Sequence, residues 1–161
     1  MVKRWYATPP VRNILSALAV TFFGFILLNL TFLSDALYQG AIRRFIGLFV
    51  PLGPELAFDW FPPLMHGSFV VIIGLISWLV FRSKLKIIYK AIFMTVPVAV
   101  VLVTTGMFLY HWPVVSYSVG AFLCTGTLYY FCRTKQPWIY FWAVILVGVT
   151  LAIFTTLGGE I

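Results

Sequence analysis

Residues 64–110 read LMHGSFVVIIGLISWLVFRSKLKIIYKAIFMTVPVAVVLVTTGMFLY. Two apolar runs, Leu64–Phe81 and Ala91–Tyr110, flank a short stretch that holds Arg82, Lys84, Lys86 and Lys90. Each run is close to the roughly 20 residues a helix needs to cross a hydrocarbon core. Basic residues between two such runs mark the cytoplasmic side of a membrane hairpin. The pattern therefore predicts two consecutive membrane helices joined by a cytoplasmic turn.

Working outward, three further runs have the same character: Ile14–Leu33, Val114–Phe131 and Trp138–Leu157. The chain is 62% hydrophobic and 9% charged over 161 residues, where a soluble domain carries about 25% charged residues. Its surface must face lipid, and the length suits one compact helical domain. The expected fold is an all-α membrane bundle of about five transmembrane helices over residues 1–161. Short connectors between the last four spans make them antiparallel neighbours.

The formal charge of +7 does not indicate nucleic acid, because the basic residues sit beside apolar runs and no long polar segment could carry a phosphate-binding face. They fix orientation instead. Lys3, Arg4, Arg12, Arg82, Lys84, Lys86, Lys90, Arg133 and Lys135 fall on one side of a five-span chain, and Asp35, Glu55, Asp59 and Glu160 on the other. Only Arg43 and Arg44 depart from this. The bias places the N-terminus in the cytoplasm and the C-terminus outside; it does not name the membrane, and a plasma (inner) membrane is the default expectation. The first run is longer than a signal-peptide core and is expected to be retained.

Residues 34–63 form the expected outer loop. Within it Ile42, Phe45, Ile46, Phe49 and Val50 share the spacing of one helical face, which predicts a short amphipathic helix lying in the outer interface, ended by Pro51 and Pro54. A sixth span through Phe45–Phe61 would bury Glu55 and Asp59 in lipid at high cost. Trp5, Tyr6, Trp78, Tyr89, Trp112, Trp138 and Tyr140 fall near span ends and read as interfacial anchors. Ser116, Gly120 and Cys124 make a small-xxx-small stripe suited to close helix packing. Pro97 is expected to kink the third span, with Thr95 near the freed carbonyls. Cys124 and Cys132 lie about 12 Å apart along one helix, too far for a disulfide.

The candidate chemistry gathers at the outer end. Asp59, His66 and His111 are the candidate general acid–base residues, and Arg43, Arg44 and Glu55 the candidate ligand-binding ones. His66 and His111, at the outer ends of spans two and three, could share a metal or haem iron. No metal or cofactor is assigned, because interfacial histidines bonded to backbone or water fit the same pattern. Catalytic elbows, metalloprotease helices, Cys-x-x-Cys pairs and phosphate-cradling loops are absent from the sequence.

Beyond the lipid bilayer, the expected partner is another membrane protein or a second copy of the chain, and nucleic acid is excluded. The leading reading is a non-enzymatic subunit or accessory factor of a larger transport or envelope complex. Two alternatives stay open. One is a membrane enzyme acting on lipid-linked or headgroup substrates at the outer leaflet. The other is a small oligomeric channel or carrier with Pro97, Thr104 and Thr105 along its path.

Overall fold

A computed structural model of the chain describes residues 10–49 and 61–156. They form five α-helices: α1 Pro10–Gly47, α2 Phe61–Arg82, α3 Ile87–Phe108, α4 Pro113–Arg133 and α5 Trp138–Thr156. All five are long and apolar enough to cross a membrane. Many of their hydroxyl side chains are satisfied inside the helices. Thr21, Thr31, Ser34, Ser77, Thr105 and Ser118 each donate to the carbonyl four residues back, at 2.6–2.9 Å. A polar group bonded within its own helix can face hydrocarbon without seeking water. Large apolar side chains such as Phe22, Leu37, Leu75 and Phe122 point outward.

The helix α3 lies at the centre and packs against the other four, while α1 and α2, α1 and α5, and α4 and α5 pair around it. Neighbours therefore run α2–α1–α5–α4 around α3. On α3 the buried residues Ala91, Thr95, Val96, Ala99, Val100 and Val103 make one broad helical face. Two apolar clusters stack along it. One holds Val20, Ala91, Phe131, Tyr140, Ala143 and Val144, toward the end that carries Arg12, Lys86 and Trp138. The other, Phe69, Ile73, Val96 and Val100, fastens α2 near the opposite end. Between them α1 crosses α3 closely, where Thr95 Oγ1 donates to Ile92 O at 2.7 Å and lies 3.5 Å from Gly24 O. Pro97 lies inside α3, which continues past it as helix.

Local sequence explains the turns. Pro113 opens α4, where a missing N–H costs nothing. The same helix closes with Lys135 at φ 51°, Lys135 N–H donating to Cys132 O and Gln136 N–H to Phe131 O. These are the paired bonds of a left-handed helix stop.

Four spans match the expected ones to within a few residues. The first does not stop at Leu33: α1 continues without a break through 38 residues, about 57 Å at 1.5 Å per residue. Ser34, expected to open a loop, instead bonds back to Leu30 O at 2.7 Å. Gln39 donates to Asp35 one turn earlier at 3.1 Å. Ile42, Phe45 and Ile46 are helical, as their spacing predicts, but within α1 rather than in a separate interfacial helix. Val50 and the rest of the outer loop up to residue 60 lie outside the described residues.

Candidate functional site

The buried stripe of α1 is Val20, Gly24, Thr31 and Asp35, steps of four and seven that keep one face toward α3. The last member is a carboxylate. It meets His66, which enters from the second turn of α2 among the buried residues Met65, Phe69 and Ile73. His66 Nδ1 is 3.1 Å from Asp35 Oδ2, and both side chains are almost entirely removed from the surface, at 6% and 12% exposure. The other ring nitrogen, Nε2, lies 3.0 Å from Thr104 Oγ1 on α3. One imidazole thus ties three helices together.

Neighbouring groups complete the network. Asp35 Oδ2 also accepts from Gln39 Nε2, while Asp35 Oδ1 is buried without a hydrogen-bond partner. Thr104 Oγ1 donates to Val100 O at 2.6 Å. Tyr38 OH lies 3.0 Å from Ser68 Oγ, which donates to Met65 O, a second α1–α2 link one turn away. His66 stands sixteen positions before Arg82 on α2, about 24 Å along the helix axis. The network is therefore at the end of the bundle opposite the Arg12, Arg82, Lys86 and Arg133 end.

Protein families, curated proteins and solved structures offer no match to this chain.

The sequence candidates separate. His66 sits in the network, but its partners are Asp35 and Thr104, not His111. His111 is exposed in the turn after α3, with its ring against Tyr110 at a centroid distance of 3.7 Å. Both nitrogens of His66 already have partners, so neither offers a free lone pair to a metal. Among the described residues no three His, Cys, Asp or Glu side chains gather as a metal-holding group. Arg43 and Arg44 are exposed on the last turns of α1. Glu55 and Asp59 lie outside the described residues. Asp35 was not singled out by sequence reasoning, because its polarity reads as the start of a loop. The signal that would have found it is the spacing Gly24, Thr31, Asp35, Tyr38, a small and polar stripe on one helical face.

Carboxylate, imidazole and hydroxyl in that order also describe a nucleophile triad. The surroundings do not supply the rest of one. Thr104 lies within α3, where the backbone N–H groups donate inside the helix, so they cannot stabilise an oxyanion. Three cavities among the described residues are lined by other side chains.

Ser116, Gly120 and Cys124, in contrast, do come together, in a groove of about 450 Å³ between α3, α4 and α5. Gly106 of α3 and Gly148 and Ala152 of α5 line its other walls. The groove is overwhelmingly apolar. Phe131 is the buried residue that α4 contributes to the core, so most of this helix faces away from the chain's own interior.

Proposed function

We propose that this chain is a non-enzymatic multi-pass membrane protein, acting as a subunit or accessory factor of a larger transport or envelope complex in a plasma (inner) membrane. Its N-terminus is cytoplasmic and its C-terminus outside. The observation that carries the reading is the apolar groove between α3, α4 and α5, lined in part by small residues of all three helices. Between helices in lipid there is no hydrophobic driving force, and association depends on close backbone approach at Gly, Ala, Ser and Cys-sized positions. Ser116, Gly120 and Cys124 are half-buried along the groove, and of these Cys124 also packs against the chain's own core. They suit an apolar transmembrane helix of a partner protein laid along α4 and α5.

Gly120 has room of its own. A β-carbon built there meets only Leu102 Cδ2, at 3.7 Å, so a bulky side chain would fill the groove before disturbing the bundle. The test is affinity purification in mild detergent from native membranes, comparing the natural chain with Ser116→Leu and Gly120→Leu. A stoichiometric membrane partner that is lost at least tenfold in variants that still purify as folded, monodisperse protein is the expected result. A partner-free preparation of the natural chain, or equal recovery of partner by the variants, would overturn the reading. Self-association lost in the variants would replace the heterologous partner by a second copy.

A further inference from the structure

Thr104 has one hydroxyl hydrogen and two acceptors within reach, Val100 O at 2.6 Å and His66 Nε2 at 3.0 Å. The two choices demand different numbers of protons on the pair behind it. When the hydroxyl donates to Val100 O, Nε2 must carry a hydrogen and donate to Thr104 Oγ1. A second hydrogen lies between His66 Nδ1 and Asp35 Oδ2, on whichever atom holds it. The pair then has no net charge. When the hydroxyl turns to His66, Nε2 is bare, one hydrogen remains between Nδ1 and Oδ2, and the pair carries one negative charge.

We infer that Asp35, His66 and Thr104 form an intramembrane proton-binding site, which takes up and releases one proton as the Thr104 hydroxyl swings between Val100 and His66. On release the proton passes from Nε2 to water or hydroxide, and the electron pair of the N–H bond stays on Nε2 to accept the Thr104 O–H. A buried ionisable pair inside a membrane bundle is where proton-linked function is expected. Asp35 Oδ1 adds a second observation. It is buried with no donor, an arrangement that a neutral pair tolerates better than a bare carboxylate does.

Among the described residues the surroundings supply no competing charge. From α1 the network faces Tyr38 and Gln39, and from α2 Ser68. The helix α5 has no Asp, Glu, His, Lys or Arg over Trp138–Thr156, and α4 has only Arg133, at the opposite end. Arg43 and Arg44 stand about two turns beyond Asp35 on α1, and His111 is exposed past the end of α3. Because the three groups sit on α1, α2 and α3, the site couples proton occupancy to how α1 and α2 hold the central helix. This inference stands apart from the α4 groove and survives if no partner docks there.

The experiment is nitrogen NMR of the full chain in nanodiscs, labelled in histidine and carrying His111→Gln so that His66 is the one reporter. Between about pH 5 and pH 9, the Nε2 signal is expected to change reversibly from a protonated to a lone-pair nitrogen, while Nδ1 stays protonated or shared. Asp35→Asn, which removes the carboxylate facing Nδ1, should change the pH dependence of the Nε2 signal. Thr104→Ser should retain the Nε2 signature and Thr104→Val should shift it. Constant ring nitrogens across that range in the folded chain would overturn the inference, as would a titration left unchanged by both Asp35→Asn and Thr104→Val.

Discussion

A β-carbon added at Gly24 would stand 2.8 Å from Thr95 Cγ2 and 3.3 Å from its Oγ1, closer than real side chains approach. Thr95 is 1% exposed and tied to Ile92 O, so moving aside would break that bond. The close approach of α1 to the central helix at this point needs a residue without a side chain. Gly24→Ala should therefore destabilise the bundle by about 1–3 kcal/mol, the usual cost of overpacking. Adding Thr95→Ser removes Cγ2, the nearest atom, and should return part of that loss. Reversible unfolding in SDS titrations reads both, and equal stability of Gly24→Ala and the natural chain would show that α1 crosses α3 less closely. Their contact does not declare itself in the sequence, because glycine in an apolar run is equally at home on the lipid face. His66 and Thr104 stand out there as polar side chains, but nothing local brings them together with Asp35. They are 31 and 38 residues apart, and their meeting depends on the relative register of three helices, which no local pattern encodes.

At the scale of the element, what was legible followed from length. Four apolar runs bounded by basic residues, prolines or aromatics became helices over nearly the expected residues, because in lipid a helix satisfies its own backbone and must be long enough to cross. The exception, α1, shows where that logic ends. Ser34, Asp35 and Gln39 break the apolar run, yet each finds its partner on α1 itself or on α2, and the helix continues. Exposure along this extension keeps a helical rhythm, with Asp35 buried, Tyr38, Gln39, Ile42 and Ile46 half-buried, and Leu37, Ala41, Arg44 and Phe45 exposed. Single cysteines placed from position 35 to 46, after replacing Cys124 and Cys132 by serine, should react with a water-soluble maleimide in that rhythm. Minima are expected at 35, 38, 42 and 46. Uniform reactivity from 36 onward would mean a loop, and would separate the amphipathic segment from α1 again.

For the molecule as a whole, the connectivity around α3 makes a claim about sides. The α2–α3 turn and the α4–α5 turn lie at one end of the bundle with the start of α1, and the α3–α4 turn lies at the other. The first end holds Arg12, Arg82, Lys84, Lys86, Lys90, Arg133 and Lys135. Lys90 Nζ donates to Phe81 O at 2.7 Å, and Arg82 lies over the Trp78 ring at 5.2 Å, so part of this charge also fixes the helix ends. Retention of so many Lys and Arg on one side is the strongest determinant of insertion direction. A cysteine at Ser83 or Thr134, in the chain without Cys124 and Cys132, should be labelled by an impermeant reagent in inside-out vesicles and protected in intact cells. A cysteine at His111 should behave oppositely. Labelling of all three from one side would refute the five-span arrangement. A clean reversal of the two sides would leave the bundle intact and invert its orientation. It would also put the Asp35–His66 pair at the cytoplasmic end instead of the proposed outer one, and so change which compartment's pH the proposed proton site can sense.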